Sequence, residues 1–183
     1  MSKTLNTIQT IVKIAKVLAI IVMVASIIGA AGSAIALGAM AITGGESELT
    51  ENAIFMGEPA DLYFTYISTI ITCVAEAILA YLAMKYFNNE LAAGTPFTFD
   101  GSKQLLRLGL INLAVAFGVA FLEVLIYIIM SVYFPELQEI DSNSWSLGTG
   151  IAMMLLSLVF KYGAETASPA FDPYDEEKER IIF

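Results

Sequence analysis

The sequence predicts an all-α fold: a polytopic membrane protein built as a four-transmembrane-helix bundle with both termini cytoplasmic. Three observations carry this expectation. The 183 residues are 57% hydrophobic and 15% charged, with a mean hydropathy of +0.74, whereas an ordinary soluble domain is roughly 45–50% apolar and 25% charged. The apolar residues fall in uninterrupted runs as long as the roughly 20 residues that cross a bilayer core. The nine Lys and Arg residues are confined to the two termini and the middle loop.

The first span is predicted over 17–42, VLAIIVMVASIIGAAGSAIALGAMAI, which carries no charge. Lys13 and Lys16 ahead of it, with Ala31, Ser33 and Ala34 inside it, are also arranged as in a secretory signal. A signal's apolar region is only about 7–15 residues, and this run continues past the candidate cleavage point, so an uncleaved span is expected. Ala25, Gly29 and Ser33 recur at the small-xxx-small spacing that lets helices approach closely. Two uses fit that spacing: packing within the chain, and a homo-oligomer through span one.

Spans two, three and four are predicted at about 62–87, 105–134 and 145–162, each ending near aromatic residues suited to the membrane interface. The intervening segments GGESELTENAIFMGEPAD, NNELAAGTPFTFDGSKQ and PELQEIDSNS are rich in Gly, Pro, Asn and acids, as loops are. Lys85, Lys103 and Arg107 surround the middle loop, while the first and third loops carry acids and no base. Basic residues flanking spans stay on the cytoplasmic side, which places both termini and the middle loop inside and requires an even number of spans. Residues 1–165 then form the transmembrane domain and 166–183 an acidic cytoplasmic tail, in which Asp172 and Pro173 could start a short helix.

In the middle loop, Pro96 biases Thr95 toward an extended backbone, Asp100-Gly101 reads as a turn, and Ser102 is placed to cap the third span. Pro96, Phe97 and Phe99 form a candidate docking loop for a cytosolic partner, and the same rings are suited to dipping into the interface. The turn Gly94, Thr95, Pro96, Phe97, Thr98, followed by Arg107 at the start of span three, resembles that of a bacterial family of small four-span membrane proteins of unknown function. The resemblance extends over about residues 60–165. It implies a location in the bacterial cytoplasmic membrane and brings no activity with it.

Two residues are costly where the sequence puts them. A carboxylate at the centre of a span costs about 2.5–3.5 kcal/mol on insertion scales, so Glu76 and Glu123 each need a partner, a wet cavity or a proton. With no Lys, Arg or His at the depth of these acids, a protonated or cation-bound carboxyl is expected there in place of an ion pair. Helical spacing puts Thr65, Thr69, Thr72, Glu76 and Ala80 on one face of span two, and Asn112, Ala116, Glu123 and Tyr127 on one face of span three. Taking Lys85 and Arg107 as level, Glu123 falls opposite Thr69 and Thr72, and Glu76 opposite Ala116 and near Ser26. The two carboxyls then differ in depth by roughly 10 Å and should not pair.

Other chemistries find little support. Cys73 is the one cysteine and there is no histidine, which excludes an intramolecular disulfide, a zinc site and His-based catalysis. No HExxH motif or recognised nucleophile-base pair is present, so neither an enzyme nor a cofactor is expected. The net charge of -9 and the lack of a basic patch argue against nucleic acid. The bilayer itself is the first expected partner. The function expected is that of an accessory, sensory or immunity-type component acting through membrane or cytosolic protein contacts. The alternative is a small proton- or cation-coupled transporter or conduit using Glu76 and Glu123.

Overall fold

The computed structural model describes residues 3–43, 59–94, 98–135 and 147–167. They form four helices: α1 (Lys3–Thr43), α2 (Pro59–Ala93), α3 (Phe99–Tyr133) and α4 (Leu147–Ala167). The first and third loops, Pro96, Phe97 and the tail from 168 onward lie outside the described residues.

The chain is all-helical, and α1, α2 and α3 are long and apolar enough to cross a membrane. At 1.5 Å per residue, the 41 residues of α1 and the 35 each of α2 and α3 reach roughly 50–60 Å. That far exceeds a hydrocarbon thickness of about 30 Å. Their ends must therefore project beyond the apolar layer or tilt within it. Ile28, Ile35, Phe117, Phe121 and Val132 are all exposed. Apolar surface on this scale fits contact with lipid and not with water.

The helices begin and end differently from the sequence expectation. Helix α1 starts at Lys3, well before Val17, because no Gly or Pro interrupts the polar run that precedes the span. The middle loop shrinks to a turn. Helix α2 continues to Ala93, and Gly94 stops it by adopting φ +74° while its N–H donates to the Glu90 carbonyl at 3.2 Å, a left-handed cap that favours glycine. Helix α3 starts at Phe99, and its cap is Thr98, not Ser102. Thr98 is extended (φ -118°, ψ 147°) and its hydroxyl accepts from the Gly101 N–H at 2.9 Å. Asp100 and Gly101 are thus helical rather than a turn, with Asp100 in the first turn where a negative charge is favourable. Ser102 is already inside the helix and donates to the Phe99 carbonyl at 3.0 Å.

Helix α1 packs on α2, α2 on α3 and α3 on α4, and no other pair of described helices brings its backbones together. Among the described residues the result is a row of neighbours. Each pair is antiparallel. Gln9 meets Gly94, Ser26 meets Glu76 and Gly29 faces Cys73, so numbers rise along α1 as they fall along α2. Phe64 stacks edge-on against Tyr127, Ser68 meets Glu123 and Asn89 meets Gln104 in the same sense between α2 and α3.

Helices α3 and α4 cross where two glycines meet. A Cβ on Gly109 would lie 2.9 Å from the Gly150 carbonyl oxygen, and one on Gly150 would lie 2.8 Å from Leu113 Cγ. Near this crossing Tyr86, Leu105 and Leu108 form a buried cluster joined by Leu82, Phe87, Met153 and Phe160. Replacing Gly109 by Val should therefore separate α3 from α4 and destabilise the protein by about 1–3 kcal/mol. Gly118→Ala, with open space around it, should be nearly neutral. Unfolding of both variants in mixed micelles would measure the difference.

Candidate functional site

Helix α2 lies between α1 and α3 and offers polar groups to both. Toward α1, Glu76 Oε2 accepts from the hydroxyl of Ser26 at 3.0 Å. Toward α3, the Ser68 hydroxyl donates to Glu123 Oε1 at 2.5 Å, and the Thr72 hydroxyl lies at 3.4 Å from the same oxygen, near the limit for a hydrogen bond. Ser68, Thr72 and Glu76 recur every four residues, so they form a stripe that drifts around α2 from its α3 side to its α1 side. Each carboxyl is thus met by hydroxyls from a neighbouring helix. The two acids do not meet, because Ser68 and Glu76, their attachment points on α2, are roughly 12 Å apart along the axis at 1.5 Å per residue.

The other candidates divide. Thr69 does not reach Glu123; it donates to the Thr65 carbonyl of its own helix at 2.7 Å, and Ser68 takes the role expected of it. One residue rotates a helical side chain by about 100°, so a register right to within one residue still names the wrong hydroxyl. Asn112 faces the fourth helix, where the Thr149 hydroxyl lies 3.4 Å from its Oδ1. Tyr127 serves packing, with its ring 6.2 Å from that of Phe64 at 90°. Phe99 is exposed. On the small-residue face of α1, a Cβ on Gly29 would come 3.0 Å from Cys73 Sγ and Ser33 is buried, while Ala25 is exposed.

One acid escaped the sequence reading. Glu90, placed there in a loop, sits on the last turn of α2 and is buried. It lies past Lys85, Asn88 and Asn89, outside the predicted apolar span of 62–87. A Cβ on Gly101 would collide with its carboxyl, so Gly101 is what lets α3 begin so close to it. Tyr86, one turn back on α2, hydrogen-bonds the carboxyl, while Oε2 has no partner. Burial raises its pKa above the usual carboxylate range, and the Tyr86 hydrogen bond offsets part of that rise. The available signal was the four-residue step from Tyr86 to Glu90.

Among the described residues, no group of three or more acids or thiols is arranged to hold a metal. No family model, curated protein or solved structure matches the chain. The fold and the part-buried polar pairs define a helical membrane protein in which Glu76 and Glu123 make contacts between helices.

If those contacts act as clamps, a double-mutant cycle of Ser68→Ala with Glu123→Gln should give a coupling energy of about 0.6 kcal/mol, and no more than about 1.7. Thr69→Ala combined with Glu123→Gln should give none. Reversible unfolding in micelles supplies all of the required free energies.

Proposed function

We propose that this chain is a four-span protein of the bacterial cytoplasmic membrane, with both termini inside, that works as an accessory, sensory or immunity-type component through contacts with other proteins. The observation that carries this reading is the commitment of both intramembrane carboxyls to separate interfaces, Glu76 with Ser26 and Glu123 with Ser68. Groups so placed hold helices in register. The open row supports the reading as well, since each outer helix has a neighbour on one side only.

In this proposal α4 is the fourth span. Its 21 residues would extend about 31 Å, enough to cross the core, with Lys161 and Glu165 paired at 4.0 Å near its end. The segregation of Lys and Arg then places Lys103 and both termini inside. Cysteines introduced at Ser47 and Ser142 in a Cys73→Ala background should react with an impermeant thiol reagent from outside. One at exposed Lys103 should react only after the membrane is opened, and labelling there in sealed cells would reverse the proposed orientation.

A proton- or cation-coupled carrier remains the second reading, favoured by one feature: the hydroxyl and carboxyl stripe Ser68, Thr72, Glu76 passes between Ser26 and Glu123. Flux in reconstituted vesicles separates the two. An accessory protein should show no proton flux above empty vesicles, and Glu76→Gln and Glu123→Gln should leave its cellular activity intact. A proton-dependent flux abolished by either substitution would establish the carrier.

A further inference from the structure

The corner between α2 and α3 holds a buried carboxyl that the two intramembrane pairs do not explain. Glu90 is 6% exposed, and its side chain lies over the first turn of α3, against Gly101 and Thr98. A helix N-terminus normally offers free N–H groups to an acid. Here the Thr98 hydroxyl accepts from the Gly101 N–H, and the Ser102 N–H makes the first intrahelical bond to the Thr98 carbonyl at 3.0 Å. Glu90 Oε2 has no hydrogen-bond partner. An unanswered oxygen is far cheaper to bury on a neutral carboxyl than on a charged one.

Among the described residues, no cation compensates. The influences on Glu90 are its burial, which raises its pKa, and the Tyr86 hydrogen bond, which lowers it. On α2 itself Lys85 is exposed; on α3, Asp100, Lys103 and Arg107 are exposed. On α1, the register set by Gln9 and Gly94 brings exposed Lys13 and half-buried Lys16 nearest. On α4, Lys161 pairs with Glu165.

The same corner joins three helices. Gln9 of α1 donates to the Gly94 carbonyl at 3.1 Å, and Asn89 of α2 donates to Gln104 of α3 at 2.8 Å. A change in the spacing of α2 and α3 here would thus be felt by α1.

We propose that Glu90 is a proton-binding latch: with the proton bound, the last turn of α2 and the first turn of α3 close on one another, and loss of the proton drives them apart. The sign follows from linkage. Closure disfavours the charged form, so the closed corner has its full stability below the usual carboxylate range and loses it as pH rises through the raised value. This latch is separate from Glu76 and Glu123, and it holds for either function proposed above.

Hydrogen exchange of the full chain in lipid nanodiscs tests it, with rates corrected for intrinsic pH dependence. Between about pH 5 and about pH 9, protection of the amides at 101–105 should fall as the corner loses its proton. Glu90→Gln should remain protected throughout, because it cannot ionise. Tyr86→Phe removes a donor that favours the ionised form, so its transition should move to higher pH. A flat wild-type profile, or a transition that survives in Glu90→Gln, would overturn the latch. If Glu90→Gln does not fold, the Tyr86→Phe midpoint decides: a shift upward supports the latch, and no shift or a shift downward rejects it.

Discussion

The constraint on which the structure depends is that a bilayer offers no hydrogen bonds to a buried carboxyl. Lipid tails are as apolar as leucine, so apolar side chains do little to tell one helix register from another. Glu76 and Glu123 do. Ser26 answers the first and Ser68 the second, and in each pair of helices the other contacts keep the same offset. Gln9 with Gly94 and Gly29 with Cys73 agree with Ser26 and Glu76. Phe64 with Tyr127 and Asn89 with Gln104 agree with Ser68 and Glu123. Sliding either pair by one residue would rotate a carboxyl by about 100° away from its hydroxyl, at a cost of about 2.5–3.5 kcal/mol if it then faced lipid.

Helices α3 and α4 are joined by another means. Their crossing at Gly109 and Gly150 brings backbone to backbone, so dispersion contacts join the weak polar contact of Thr149 with Asn112. Glycine is not itself a sign of contact in this chain, since Gly32, Gly38 and Gly118 have open space where a side chain would go. The distinction matters for function: the small-residue face of α1 at Gly29 is already taken by α2, whereas Gly32 and Gly38 face outward.

At the end of α2 the physics changes. Beyond Phe87 the polar residues Asn88, Asn89 and Glu90 continue the helix past the predicted apolar span, and the contacts become mixed. Aromatic packing of Tyr86 with Leu105 and Leu108 lies beside hydrogen bonds from Gln9 and Asn89. This corner ties α1, α2 and α3 together, and with a left-handed Gly94 and an extended Thr98 the chain reverses within a few residues. Among the described residues, the one buried side-chain atom there without a hydrogen-bond partner is Glu90 Oε2.

By itself the sequence determined the helical class, the apolar spans of α1, α2 and α3, the level of Glu123 opposite Thr69 and Thr72, one residue from the Ser68 that meets it, and the level of Glu76 near Ser26. These follow from run length, composition and a constant rise per residue, all of which are local. Only the tertiary structure decided that Ser68 and not Thr69 meets Glu123, that Asn112 turns to α4, that Thr98 displaces Ser102 as the cap, and that Glu90 is buried. Each of these depends on helix rotation or on which neighbour arrives, and a side chain's direction changes by about 100° for each residue of slip. The open row was likewise invisible in the pattern of spans, because hydrophobic length reports that a helix meets lipid and not which of its faces meets another helix.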